Sequence, residues 1–150
     1  MRHTTNNRFR QAFTLIEILI VTALITILST IGLFSYSAAL RSARDSRRWA
    51  DVEIMRSALE LYRNTNNIYP AAIDVSCAST TGITDGTNTY LPKNPHDPKC
   101  PTTSYYYTQL SSGADYTLGA RFEAASSTTS TCGSCTSAVC NYCVGPLGGK

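Results

Sequence analysis

Charge is nearly absent from two long stretches of this sequence. Between Phe13 and Tyr36 the one charged side chain is Glu17, and after Glu123 there is no Asp or Glu at all. Histidine is scarce too: His3 lies near the start, and His96 lies between two prolines. A phosphate-binding loop, a dinucleotide fingerprint and a paired-histidine zinc helix are all missing. His96-Asp97 has no nucleophile motif to complete a triad, and neighbours in a proline-flanked stretch read as a turn. These gaps remove the common routes to catalysis, and no enzyme is expected.

What is present is unevenly placed. Arg2, Arg8 and Arg10 fall in the first twelve residues, and without them the basic and acidic residues balance at ten each. Bulk attraction to nucleic acid or anionic lipid is therefore not expected of the remainder. Residues 18–34 form an apolar run interrupted only by Thr, Ser and Gly. With its apolar flanks it has the length, about 20 residues, that crosses a ~30 Å hydrocarbon core. Its hydroxyls can bond back to helix carbonyls. Arg41, Arg44, Arg47 and Arg48 follow the run, so a positive-inside count leaves its orientation open. An ordinary secretory signal competes, since Ser35, Ser37 and Ala39 imitate a cleavage site. Against it, the run is long and begins with an acid. An uncleaved anchor carrying a disulfide- or metal-bearing surface domain is a third class, and the N-terminus of the mature chain separates it from the others.

Glu17 is the most informative residue. A carboxylate in an apolar span costs about 2.5–3.5 kcal/mol on insertion scales, which points to function unless the side chain snorkels to the headgroups. Cleavage between Ala12 and Phe13 would place an α-amino group four residues before it. In a bundle, that amine could neutralise the carboxylate of a neighbouring subunit. Gln11-Ala12-Phe13-Thr14-Leu15-Ile16-Glu17, with a short basic leader before it and an apolar run behind it, resembles the type IV prepilin signal shared by type IV pilins and the pseudopilins of type II secretion. The resemblance implies that a prepilin peptidase cuts before Phe13, that the new amino group of Phe13 is methylated, and that Glu17 sets subunit register in a helical homopolymer. It further implies an inner-membrane assembly platform, minor pilins and membrane lipid as partners. The precursor would be a single-pass inner-membrane protein with its head in the periplasm or outside the cell. Ala12 departs from the glycine usual at this position.

Beyond the anchor, Ala43, Ala50, Ile54, Ala58 and Leu61 recur with a helical period, widened by Met55, Leu59 and Tyr62. This stripe is expected to face a sheet, with Arg47–Asp51, Arg56–Glu60 and Glu60–Arg63 on the solvated side. Asn64-Thr65-Asn66-Asn67 and Pro70 stop the helix. From Phe13 to Asn64 it would run about 75–80 Å. Residues 105–110 and 116–123 read as a β-hairpin in which Tyr116, Leu118, Ala120 and Phe122 face the core and Thr117, Gly119, Arg121 and Glu123 face water. A weaker strand lies around residues 138–144. The predicted architecture is α+β and type IV pilin-like: a long N-terminal helix, membrane-spanning in its first half, on a small antiparallel sheet. Its parts are a leader (1–12), an anchor (13–36) and a head (37–150), the head comprising helix (37–64), turn-rich loop (65–103), hairpin (104–123) and a Ser/Thr/Cys-rich tail (124–150).

The order Tyr69-Pro70, Asn94-Pro95-His96-Asp97-Pro98, aromatic strand and second strand resembles the major pseudopilin over roughly residues 12–123. Major pseudopilins typically bind calcium near the C-terminus. Here the acids left for the ion's hard-oxygen ligands are Asp97 and Asp115, and no other cofactor is expected. A DNA-binding filament subunit remains a rival from another class. Its surface would be Arg41, Arg44 and Arg48, which share one helix face, although a solvated or intersubunit face explains them better. Six cysteines with a translocation signal suggest an oxidising destination. Cys132-x2-Cys135-x4-Cys140-x2-Cys143 offers four thiolates for zinc, but four residues leave little chain between the pairs. Disulfides are expected instead: Cys77–Cys100, with the last four cysteines pairing among themselves. One connectivity that would staple a hairpin is Cys132–Cys143 around Cys135–Cys140.

Overall fold

The computed structural model describes residues 13–124 and 132–149, with side chains at 31–34 excepted. Among these residues one α-helix, α1 (Leu15–Asn66), is followed by eight short strands: β1 (Ile83–Thr84), β2 (Thr89–Leu91), β3 (Tyr106–Leu110), β4 (Asp115–Ala120), β5 (Ser134–Cys135), β6 (Ala138–Val139), β7 (Tyr142–Gly145) and β8 (Gly148–Gly149). The chain divides into two units, Met1–Ala39 and Leu40–Lys150.

In the first unit, the part of α1 that is described exposes Leu15, Ile16, Ile18, Leu19, Ile20, Val21, Leu24, Ile25, Ile27 and Leu28. Thr22 and Thr26 donate to the carbonyls of Leu19 and Ala23, and Thr30 donates to Thr26. Their polarity is thus spent inside the helix, as a lipid-facing segment requires. The helix is long and apolar enough to cross a membrane.

In the second unit, the central sheet has the order β3-β4-β7-β8. β3 and β4 pair antiparallel from Tyr106↔Gly119 to Leu110↔Asp115, joined by a single turn of 3-10 helix at Ser111–Gly113. β7 adds on the far side of β4, with Leu118↔Val144 and Ala120↔Tyr142. The weak C-terminal strand is therefore an integral member of the sheet. Helix residues Val52, Met55, Ala58 and Leu59 pack with Tyr69, Ile83, Tyr105, Tyr116, Leu118, Ala120 and Val144 to form the core.

Two sequence-based expectations are corrected here. The stripe expected to meet the sheet meets it along one side only: Met55, Ala58 and Leu59 enter the core and Tyr62 packs against it, whereas Ile54 and Leu61 are 50% and 56% exposed, and Ala43 and Ala50 are exposed as well. The covered face centres on Val52, Met55 and Leu59, about two-fifths of a turn from Ile54 and Leu61. α1 thus carries two apolar faces, and the sheet covers only one. The alternation expected in β4 also fails, because Thr117 and Gly119 are buried along with Tyr116, Leu118 and Ala120. The reason is a second layer. A Cβ on Gly119 would stand 2.9 Å from the Cys132 sulfur and 3.1 Å from the Cys140 sulfur, so the cystine-bearing segment lies directly on that face.

The six cysteines pair as Cys77–Cys100, Cys132–Cys143 and Cys135–Cys140, the last two nested. Cys135, Cys140 and Cys143 are buried. In a segment with few bulky apolar residues, these links hold what hydrophobic burial alone would hold weakly.

Candidate functional site

Two groups of residues concern function: the start of α1 and a buried charge cluster in the head. At the start, α1 begins at Leu15, two residues later than the sequence suggests, and Phe13 lies exposed before it. Thr14 is the reason. Its hydroxyl accepts the backbone N–H of Glu17 at 3.3 Å, and its carbonyl accepts the N–H groups of Glu17 and Ile18. Thr14-Leu15-Ile16-Glu17 is the Ser/Thr-x-x-Glu spacing of a helix N-cap, a local signal that overlaps the prepilin-like motif. Glu17 is exposed in the first turn, where the positive end of the helix dipole favours an acid. The carboxylate is therefore presented outward near the N-terminal end of α1, open to a cation from elsewhere. Ala12 and the leader, like the Ser/Thr-rich residues 126–131, lie outside the described residues.

The head's charge cluster centres on Arg48, whose side chain is fully buried. Its Nε and Nη2 donate to the two oxygens of Asp97 at 2.7 and 3.1 Å, while Nη1 donates to Asp45 at 2.7 Å and to Glu123 at 3.0 Å. Arg44 makes a fork to Glu123 with two 2.7 Å bonds, and Lys99 Nζ lies 2.8 Å from the same carboxylate. Asp45 also accepts the backbone N–H groups of Glu123 and Ala124. Charge-assisted bonds of this length are the strong kind, and here they join α1, the Asp97 loop and the end of β4.

The electrostatics follow from those partners. Hydrogen bonds from Arg44, Lys99 and Arg48 outweigh partial burial and hold Glu123 well below the usual carboxylate range. At Asp97 burial pushes the pKa up, but bonds from Arg48, Thr103 and the Lys99 N–H pull it down further. Burial also opposes charge on Arg48, yet its three carboxylate partners raise it above an ordinary arginine. Asp51 goes the other way: burial raises it, against a 2.7 Å bond from the Tyr105 hydroxyl.

This geometry bears on further expectations. Of the basic face of Arg41, Arg44 and Arg48, the rival surface for nucleic acid, Arg44 and Arg48 are held by the head's own carboxylates and Arg41 is exposed. Both oxygens of Asp97 are engaged, Oδ2 by Arg48 and Oδ1 by Arg48, Thr103 and the Lys99 N–H. Asp115 directs an oxygen to the N–H of Tyr116. Among the described residues, no group of three or more His, Cys, Asp or Glu side chains is placed to hold a metal. Arg47–Asp51 does approach, at 3.9 Å. The Arg56–Glu60 and Glu60–Arg63 pairs are replaced. Arg56 lies 3.5 Å from Glu53, and Glu60 accepts the Tyr69 hydroxyl at 3.0 Å. Tyrosine hydroxyls that must find partners on burial outcompete exposed helix pairs.

Near the cluster, Trp49 is 54% exposed and lines a shallow cleft with Phe122, whose ring stacks on Tyr142 of β7 at 4.5 Å.

Residues 7–33 match the prokaryotic N-terminal methylation motif. The chain carries the signature of type IV pilins and pseudopilins. The matched segment of that pilin signature contains Ala12, Phe13 and Glu17, and it runs through the apolar part of α1. A long N-terminal helix with small antiparallel sheets is the arrangement such subunits have. No curated protein and no solved structure gives a significant match to the chain.

Proposed function

We propose that this chain is a structural subunit of a type IV pilus-like filament, made as an inner-membrane precursor and polymerised through its N-terminal helix. The observation that carries this reading is the coincidence of the methylation motif at residues 7–33 with an outward-facing Glu17 in the first turn of an exposed apolar helix. On this reading, prepilin peptidase removes residues 1–12, Phe13 becomes the methylated N-terminus, and its amine offsets the Glu17 carboxylate of a neighbouring subunit. An acid that is costly in lipid becomes favourable only once a cation is packed against it, which ties membrane release to assembly. The assembly platform and minor pilins would extract the subunit. The head would project on the far side of the membrane, where the three disulfides are stable.

Within this class, the order of proline-rich loop, aromatic strand and second strand favours the major pseudopilin of a type II secretion system. One feature favours a major type IV pilin of a surface filament instead. The acid-free, cystine-stapled segment after Glu123 departs from the major pseudopilin pattern.

Intact mass of protein extracted from membranes tests the reading. The expected mass is that of a chain beginning at Phe13, plus one methyl group and minus six hydrogens for the disulfides. A mature chain that keeps Met1, or begins near Ala38, overturns it.

A further inference from the structure

The last strand, β8, consists of two glycines and sends no side chain toward α1. Gly149 pairs with Val144, and cross-strand partners share a face, so Gly149 takes the side on which Val144 joins the core. A Cβ there would meet nothing nearer than the Cys143 carbonyl at 3.8 Å. The space left open is a cavity of about 530 Å³, within the size range of small-ligand sites. Ala114, Pro146 and Leu147 give it apolar walls, and its charged lining residues are Arg63 and Asp115. Arg56 of α1 donates to the Pro146 carbonyl at 3.3 Å, which ties the β7–β8 turn to the helix.

Arg63 gives the cavity its chemistry. Its Nη1 donates to the Tyr69 hydroxyl at 3.1 Å, and its guanidinium carbon lies 5.0 Å from the centre of the Tyr69 ring. These contacts hold the side chain in place, while Nε and Nη2 have no hydrogen-bond partner among the described residues. A planar fork held in this way suits a carboxylate. Asp115 accepts the Tyr116 N–H at 2.7 Å and repels any second negative charge, which confines an anion to Arg63. β8 is also an edge of the central sheet, and no described residue pairs with its outer side. We propose that this cavity binds the C-terminus of another polypeptide whose last residue is apolar. The terminal carboxylate meets Arg63, the last side chain enters between Pro146, Leu147 and Ala114, and the preceding main chain runs along β8. A free aliphatic acid has the same two ends but no main chain to pair with a strand edge. The site lies in the head and does not depend on the filament reading.

The test titrates the full chain, held in phosphatidylcholine nanodiscs, with acetyl-Gly-Ser-Leu by calorimetry. The peptide's C-terminal amide and 4-methylpentanoate serve as comparison ligands. The free acid should bind with a Kd below about 1 mM. The amide should bind about tenfold more weakly or worse, because the charge-assisted bonds are lost. Binding of 4-methylpentanoate should also be weaker, because it lacks the main chain. Arg63→Gln should bring the acid down to the level of the amide and leave thermal melting of the head unchanged. Gly149→Phe, which fills the cavity, should abolish binding. Equal affinity for acid and amide in the wild type, or no binding of the acid at about 1 mM, overturns the inference. If 4-methylpentanoate binds as tightly as the peptide, the assignment to a polypeptide is overturned. Should Gly149→Phe melt early, Leu147→Ser at a fully exposed site takes its place, and unchanged affinity in that variant overturns the placement of the last side chain.

Discussion

At the scale of single residues, Arg48 governs the head. Removing it would leave Asp97 and Asp45 buried without their cation, and breaking a buried pair from one side typically costs about 3–5 kcal/mol. Arg48→Ala should lower the unfolding free energy of detergent-solubilised protein by that order, read from chemical denaturation. Arg48→Met, which keeps most of the volume, should recover little of it. The acid limb of stability belongs to Glu123 and Asp97. Both are depressed in the folded state, so their contribution is complete above the ordinary carboxylate range of about pH 4. It is lost as pH falls from there through their lower folded values. Glu123→Gln should flatten that limb in a denaturation series across pH. Asp51 has the opposite sign. Its raised folded pKa means that ionisation opposes folding at neutral pH and that acid relieves the opposition. Asp51→Asn keeps an acceptor for Tyr105, so it should leave neutral-pH stability unchanged or higher, measured by thermal melting.

At the scale of elements, the sequence showed the β3–β4 hairpin plainly, because aromatic and alternating residues flank a Ser-Ser-Gly turn. It could not show which face of α1 the sheet takes. The expected stripe was too wide: Ala43, Ala50, Ile54 and Leu61 continue it as regularly as Met55, Ala58, Leu59 and Tyr62, yet only the latter side is covered. Only tertiary contacts, including Arg48 turned inward to meet Asp97 and Glu123, decide between them. A basic residue in the core is the kind of placement that periodicity misreads. Gly119 was similarly misplaced, since alternation assigns it to water while the cystine layer covers it. That layer is testable. Gly119→Val should force Cys132 and Cys140 away and expose β7 to hydrogen exchange. Replacing Cys132 and Cys143 together by Ser should cost about 2–4 kcal/mol, read from chemical denaturation, and should release the same strand.

At the scale of the whole molecule, the N-terminal motif was the most legible, because small residue, acid and apolar run lie close together in sequence. The N-cap role of Thr14 was equally local but hidden beneath the stronger signal. Glu17→Ala should insert into membrane at least as well as wild type, since a charge has left the apolar span. It should nonetheless give few or no filaments by electron microscopy. Normal filaments from that variant would reduce Glu17 to a snorkelling side chain. Ala12→Glu should accumulate as uncut precursor on a gel, because the small residue before Phe13 is gone. Subunit contacts and head stability are thus separable, the first read from filaments and the second from melting.

The aromatic corner beside the charge cluster adds an optical consequence. Trp49 is the only tryptophan in the chain, and it shares its cleft with the ring that stacks on Tyr142 of the last large strand. Its fluorescence is therefore a native gauge of whether β7 is seated. Emission should move to longer wavelength when the C-terminal cystines are reduced, well before α1 melts. A stopped-flow trace of that one indole would time the closing of the head without any label.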